Sequence, residues 1–362
     1  MKKFNELILN SLGCFVIFKG MTTIKEVSKL AGLSPTTVSN VIHGRTTKVS
    51  KENIKKVTKI LKDTKYVPNM GGRLLARHGS RLIGVVMFYE HRKELNVTKD
   101  PFHGELIGAL ETQIRQMGYF MILYTTKNYE ECIKVSESWN IEGLIILGSS
   151  PSDTRNILKN TRVPTVFIDT YLEEECEKFY NVGLDDFDGG RQVGDYLFST
   201  GHKKIAFLAD SKNPVGVDLE RLKGLKKSYE DNGFVFKSEY YFFLSYLEKE
   251  RHQQLSEIID NKILKNFDAL FFASDFYAVD SMNFLQDREF KIPLDLSVVG
   301  FDNNLLSKES RPRLTTVQQD VSKKGELSVK LLKCLISNRL VKEKIITLPA
   351  KLIERKSVIK RK

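Results

Sequence analysis

Seven short apolar runs follow one another between residues 82 and 302: LIGVVMF, YFMILYT, GLIILG, PTVFID, KKIAFLA, ALFFAS and LSVVGFD. Each is rich in β-branched and aromatic residues and has the length of a strand. Amphipathic stretches such as GELIGALETQIRQMG and DGGRQVGDYLFSTGH separate them, with apolar residues at helical spacing. Strand and helix in alternation mark parallel βαβ units, because parallel neighbours need a crossover connection. Runs this continuously apolar suit sheets covered on both faces. About 280 residues is too much for one compact sheet, so two α/β lobes are predicted.

The chain before residue 82 is built differently. Thr23-Ile24-Lys25-Glu26 is a capping box: the Thr23 hydroxyl accepts from the Glu26 amide, and the Glu26 carboxylate reaches back to the Thr23 amide. Ile24, Val27, Leu30 and Ala31 recur at helical spacing, and Gly32 ends that helix. Ser34 caps the next helix, with Pro35 preset at its first position. Val38, Val41 and Ile42 form its apolar stripe, and Gly44 is a stop signal. Two short helices joined by Ala31-Gly32-Leu33-Ser34 make a helix-turn-helix, whose second helix can enter a major groove and read base edges. A third helix is predicted from Ser50 to about Tyr66, with Ile54, Val57, Ile60 and Leu61 inward and Lys51, Lys55, Lys56, Lys59 and Lys62 outward.

Charge agrees. The stretch from Met21 to Arg81 holds thirteen Lys/Arg against three Asp/Glu, while the whole chain nets only +12. A solvated lysine face is the ordinary source of a charge run. An excess confined to one helix-turn-helix marks contact with nucleic acid.

The order TTIKEVSKLAGLSPTTVSNVIHG, then KVS, a third helix and KYVPN resembles the headpiece of the LacI/GalR family of bacterial transcription regulators. Further along, DPFHGELIGALETQIRQMGY, NVGLDDFDGGRQVGDYLFSTGHKKIAFL, ERLKGLKKSYEDNG, SVVGFDNN, RPRLTTVQQD and ITLPAKLIERKS stand in that family's order. The likeness covers residues 21–357 and implies an all-α helix-turn-helix headpiece plus an α/β two-lobed periplasmic-binding-protein-like (type I) core. It places the headpiece at 21–67, a hinge at 68–81 and the core at 82–357. Lobe 1 then takes 82–181 and 321–344, and lobe 2 takes 182–320 and 345–357.

By that resemblance Thr23, Ser34, Pro35, Thr36, Thr37, Ser39, Asn40 and His43 meet a pseudo-palindromic double-stranded operator, Pro35, Thr36 and Asn40 at base edges. Thr37 is open to a second reading as a packing residue. Many relatives carry Arg where this chain has Asn40, and Asn pairs best with adenine where Arg pairs with guanine. In the hinge, PNMGGRLLARHGSR, the resemblance sets Asn69, Arg73 and Leu75 on DNA, with Leu75 as a wedge in the minor groove. Gly71 and Gly72 each weaken that helix by roughly 1 kcal/mol against Ala, so it is expected to form only on DNA.

In the core the resemblance implies a small effector, a sugar or sugar phosphate, bound by Phe102, Asp169, Arg221, Asp275 and Asp302. Asp169, Asp275 and Asp302 follow apolar runs, and ligands of open α/β sheets bind beyond strand carboxyl ends. Carboxylates accept from sugar hydroxyls, an arginine forks across two of them, and an aromatic ring stacks on a sugar face. Asp275 reads equally as a helix cap, and Phe102 as lobe packing. No leucine heptad follows the core, so a homodimer is expected, matching a two-fold operator.

Other functions find less support. There is no Walker loop, GxSxG or HExxH, and GLDDFDGG lacks EF-hand spacing. His202 precedes a strand and reads as structural. Cys14, Cys132, Cys176 and Cys334 form no metal or disulfide pattern, so neither metal nor cofactor is expected. Residues 1–20 set Lys2 and Lys3 before an apolar stretch, as in a signal peptide, but it holds Asn10 and Ser11 and lacks a small-residue cleavage site. A misassigned start or poorly ordered extension is expected, with no membrane partner and a cytoplasmic location. The alternatives are a sugar-binding protein for transport, disfavoured by the basic headpiece, and a sugar-processing enzyme with a DNA-binding head.

Overall fold

The computed structural model describes residues 22–42, 44–66, 79–88, 98–172 and 176–361. The chain divides into two compact units, Met1–His78 and Gly79–Lys362.

In the first unit, α1 (Ile24–Ala31), α2 (Pro35–Ile42) and α3 (Lys51–Asp63) surround a small core. Val27, Ala31, Val38 and Val57 are fully buried there, with Ile24, Leu33, Val41, Ile42, Ile60, Leu61 and Tyr66 packed around them. The caps form as the sequence predicts. The Thr23 hydroxyl accepts from the Glu26 amide at 3.3 Å, and Glu26 Oε2 accepts from the Thr23 amide at 2.9 Å. Gly32 turns the chain at φ 63°, a left-handed conformation that favours glycine. The five predicted lysines of α3 are exposed.

The second unit contains three sheets. Six parallel strands make the first: β1 (Leu82–Phe88), β2 (Phe120–Thr126), β3 (Gly143–Leu147), β4 (Thr165–Ile168), β5 (Asn181–Leu184) and, much later in the chain, β11 (Ile345–Leu348). Their spatial order is β11-β5-β4-β3-β1-β2. The second sheet is also parallel, ordered β7-β6-β8-β9, from β6 (Ile205–Ala209), β7 (Tyr241–Phe243), β8 (Ala269–Phe272) and β9 (Ser297–Val299). In the third sheet β10 (Thr316–Gln318) pairs antiparallel with β12 (Lys351–Ile353).

Each parallel sheet is covered on both faces. On the first, α4 (Pro101–Gln116) and α12 (Val321–Ile336) pack one side, and α5 (Tyr129–Ser138) and α6 (Pro151–Asn160) the other. On the second, α7 (Asp186–Ser199) and α8 (Gly216–Asp231) cover Phe207 and Phe271, while α9 (Glu248–Asp260) and α10 (Asp275–Asp287) cover Leu208, Leu270 and Phe272. The buried aromatic and aliphatic side chains each stabilise these layers by about 1.5–3 kcal/mol. The short α11 (Leu305–Glu309) lies between β9 and β10. His202, read as structural, is buried and joins the start of β6 to β9, its Nε2 lying 2.8 Å from Ser297 Oγ.

Two sequence-drawn boundaries move. Residues 182–184 and 345–348 belong to the first sheet, because Ile345–Leu348 run in parallel register with Asn181–Leu184, which in turn pair with β4. The chain therefore leaves that sheet after residues 184 and 348. At the other boundary, Gly79–Arg81 group with the core rather than the hinge: the Arg81 amide donates to Glu142 Oε1 at 2.7 Å. The extension 1–20 and hinge residues 68–78 lie outside the described residues. No helix among the described residues is long and apolar enough to cross a membrane.

Candidate functional site

The helix-turn-helix presents a polar surface. Pro35 and Thr36 are exposed, and Ser39 and Asn40 are half-buried. Val38, on the opposite face, is fully buried and fixes α2 against α1 and α3. Ser34 Oγ accepts from the Thr37 amide at 3.1 Å and lies 2.9 Å from Thr37 Oγ1. Ser34 and Thr37 thus satisfy the helix start as well as standing at the surface, and the Thr23 hydroxyl is committed to the cap of α1. His43, Asn69, Arg73 and Leu75 lie outside the described residues.

Asp169 and Asp302, expected to bind an effector, follow β4 and β9, the ends of two different sheets. Both have non-glycine backbones at positive φ, 52° and 126°, positions that carry of order 1–3 kcal/mol of strain and gather at functional sites. One chain of hydrogen bonds connects them. Lys324 Nζ donates to Asp169 Oδ1 and Oδ2, both at 2.7 Å, and to Gln319 Oε1 at 2.8 Å. Gln319 Nε2 donates to Asp302 Oδ1 at 2.6 Å. Phe102 sits beside this chain, its ring centroid 5.3 Å from Lys324 Nζ, and also packs against the core of the first sheet. Both readings of Phe102 are therefore compatible with its place.

Arg221 is buried. Its Nε donates to Asp186 Oδ1 at 2.8 Å and its Nη1 to the Ala273 carbonyl at 2.5 Å, while the guanidinium lies 3.7 Å from the Phe301 ring centroid. Tyr171 donates to Asp186 Oδ2 at 2.6 Å, bringing a residue after β4 onto the same carboxylate. Burial opposes the Arg221 charge, yet the carboxylates of Asp186, Asp302 and Asp218 hold its pKa above the ordinary value.

Asp275 is not the cap of the helix that follows it. Ser274 is the cap of α10, its Oγ accepting from the Tyr277 amide at 3.4 Å. The fully buried Asp275 carboxylate accepts from Thr316 Oγ1 at 2.6 Å and the Asn304 amide at 3.0 Å. It clamps the loop after β9 to β10 and supports Asp302 from behind. The reason is space: a Cβ on Gly300 would lie 2.3 Å from Asp275 Oδ1, so the carboxylate is enclosed.

These buried acids titrate abnormally. Burial raises Asp169, with Lys324 opposing, and raises Asp302 well above the carboxylate range, with the Asp275 charge adding to it. Burial pushes Asp275 up to about 7 against the hydrogen bonds it accepts. Because the folded pKa lies above the unfolded one, the native state holds the extra proton between about pH 4 and 7. The stability from this group is full below pH 4 and is lost as pH rises through 7, with a slope of up to about 1.4 kcal/mol per unit. Asp275→Asn is expected to flatten the dependence of melting temperature on pH across that window. An unchanged slope would show that this carboxylate is not its source.

Sequence reasoning missed Lys324, Gln319, Asp186 and Tyr171. Lys324 did leave a signal: it occupies the buried stripe of α12 with Val321, Gly325, Ser328, Val329 and Leu332. As for a metal, Glu248, His252 and Asp280 gather donor atoms within 4.8 Å. Arg251 Nε already takes Asp280 Oδ2 at 2.7 Å, so the group serves as an ion-pair joint between α9 and α10.

Comparison with known proteins agrees with both units. Residues 23–69 match the family described as bacterial regulatory proteins, lacI family, and residues 195–358 match a periplasmic binding protein-like domain. The HTH-type transcriptional repressor PurR of Mannheimia succiniciproducens is 29% identical over 347 residues, 94% of this chain and 99% of that protein. The HTH-type transcriptional regulator MalR of Clostridium butyricum is 28% identical, covering 92% and 98%. The structure resembles the Lac repressor dimer bound to operator and the anti-inducer ONPF, with a TM-score of 0.80 at 25% identity over 94% of this chain and 100% of that one. It also resembles the regulator CelR in complex with cellobiose, with a TM-score of 0.68 at 24% identity over 93% and 99%. With a helix-turn-helix, a three-sheet α/β core and relatives matched from end to end, the chain belongs to the LacI family and is a DNA-binding transcriptional regulator.

Proposed function

We propose that the protein represses sugar-utilisation genes in the cytoplasm and that a carbohydrate effector, a sugar or sugar phosphate, sets its operator affinity. The observation that carries this is the pair Asp169 and Asp302, one from each parallel sheet, joined through Lys324 and Gln319 beside Phe102. Asp302 Oδ1 receives Gln319, while Oδ2 makes no hydrogen bond among the described residues. That oxygen is available to a ligand hydroxyl, and the Arg221–Asp186 pair stiffens the wall beside it. A ligand touching acids from both sheets binds one lobe arrangement better than another, which is the requirement for allosteric control.

The regulator acts as a homodimer in this reading. β2 is the outer strand of the first sheet, and Phe120 and Leu123 on it are exposed. An uncovered apolar edge strand favours pairing with a second chain. The related Lac repressor is a dimer on its operator.

The test is operator binding by the full-length protein. A pseudo-palindromic site upstream of neighbouring genes should bind far more tightly than random duplex, with affinity falling steeply as salt rises because phosphate contacts release counterions. Asn40→Ala is expected to weaken that site by about 10- to 100-fold, the range of one bidentate base contact, and to leave non-specific binding unchanged. Equal binding to specific and random DNA by the wild type would overturn the repressor reading. An equal loss on both DNAs in the variant would remove Asn40 from base reading.

A further inference from the structure

We infer that the outward face of α3 is a second DNA-binding surface, distinct from that of α2: Lys51, Lys55, Lys59 and Lys62 meet the phosphate backbone of duplex DNA without regard to its sequence. The inference needs the DNA binding that the family establishes and does not depend on the effector reading above. Helix geometry makes the stripe. Val57, Ile60 and Leu61 turn toward the core of the first unit, Val57 fully buried. At 3.6 residues per turn, positions 51, 55, 59 and 62 fall within about a quarter of the helix circumference, on the opposite side. All four are exposed. They span about 16 Å of the helix axis at 1.5 Å per residue, the length of about five phosphates of one strand at 3.4 Å each.

The stripe lacks counter-charge. Among the described residues no lysine of α3 forms an ion pair. Helices of the second unit treat their cations differently. Lys223 pairs with Glu220 at 2.7 Å, Lys227 with Asp231 at 2.6 Å, Lys323 with Glu326 at 3.1 Å and Arg115 with Glu111 at 3.0 Å, each partner three or four residues away. In α3 lysine stands at those distances from lysine: Lys51 from Lys55, Lys55 from Lys59 and Lys59 from Lys62. Like charges at this spacing destabilise a helix. Glu52 and Asp63 flank the run, and the residues between them hold four lysines and no acid. Phosphates of DNA supply the missing charge.

Duplex DNA fits this face better than an acidic protein does. Protein interfaces are poor in lysine and centre on apolar and aromatic anchors. Among the described residues α3 exposes no large apolar side chain. Lysine binds phosphate as a point charge on a flexible stem, without the planar fork by which arginine reads guanine. It therefore suits backbone contacts, which carry no sequence information. The stripe also belongs to the unit that holds the helix-turn-helix.

The experiment uses the full-length protein, a random-sequence duplex and the pseudo-palindromic site, with affinity measured from about 50 to 200 mM salt. Replacing all four lysines together, Lys51→Gln, Lys55→Gln, Lys59→Gln and Lys62→Gln, is expected to weaken binding to both DNAs by the same factor. The salt slope should fall by about 0.9 for each lysine, about 3–4 for each bound protomer, so the loss shrinks about 100-fold across that salt range. Asn40→Ala, by contrast, acts on the pseudo-palindromic site alone. The same four positions changed to Arg should keep the slope, because the charge stays. Lysine and glutamine have similar helix propensity, and removing the repulsion should leave helical content and melting temperature at or above those of the wild type. If the fourfold variant does not fold, Lys55→Gln and Lys59→Gln alone should each lower the slope by about 0.9. A total fall of less than about one in the folded fourfold variant, the size of a single phosphate contact, overturns the inference and leaves α3 a solvated face. A loss confined to the pseudo-palindromic site overturns it too. If that site binds no better than random duplex, the repressor reading fails while the slope on random duplex still decides this inference.

Discussion

Arg221→Ala is expected to destabilise the core by about 3–5 kcal/mol, the range for breaking a buried ion pair by removing one partner. The loss is not the value of one contact. Asp186 is fully buried beside Arg221 and would be left charged, with Tyr171 as a neutral donor. The Ala273 carbonyl loses its Nη1 donor, and Phe301 loses the guanidinium over its ring. Urea unfolding of the full-length protein reads the effect. The companion variant Asp186→Asn in the Arg221→Ala background should recover a substantial part of it, since the uncompensated charge is then gone. A loss below about 1 kcal/mol, typical of exposed pairs, would show that water reaches the pair in solution.

Gly190→Ala and Gly224→Ala are expected to be the next most damaging, each by about 3 kcal/mol or more, at or beyond the top of the range for overpacking. A Cβ on Gly190 would lie 2.0 Å from the Arg221 carbonyl oxygen, and one on Gly224 would lie 2.0 Å from the Phe187 carbonyl oxygen. These obstacles are backbone atoms, so α7 and α8 must separate to admit a methyl group. That movement also displaces Arg221 from Asp186, so effector response should fall together with melting temperature. Gly108→Ala in α4 is the control. Nothing lies within 4 Å of its added Cβ, and replacing a helical glycine should stabilise by roughly 0.5–1 kcal/mol. Equal effects at Gly108 and Gly190 would show that helix propensity, not the close approach of α7 and α8, governs both.

The seven apolar runs are the strands β1 to β4, β6, β8 and β9. They were legible because each carries its own apolar density. β5, β7, β10, β11 and β12 were not among those runs. Asn181-Val182-Gly183-Leu184 is buried by its neighbours rather than marked by composition, and β11 alternates exposed and half-buried residues at the sheet edge. In the candidate site, Asp169 and Asp302 were recognisable from their places after strands. Lys324 and Gln319 were not, because their importance lies in partners 155 and 17 residues away.

The sequence by itself determined whatever depends on neighbours in the chain. The Thr23–Glu26 box, the turn at Gly32 and the Ser34 cap of α2 arise from groups within a few residues, so spacing specifies them. The alternation of strand and helix is set in the same way. Only the tertiary structure decided that β11 returns to the first sheet, that Asp275 clamps the loop after β9 to β10, and that Lys324 is paired with Asp169. Burial and charge pairing are properties of the assembled space. Whether a lysine is a solvated cation or half of a neutral pair depends on which distant carboxylate the fold places 2.7 Å from it.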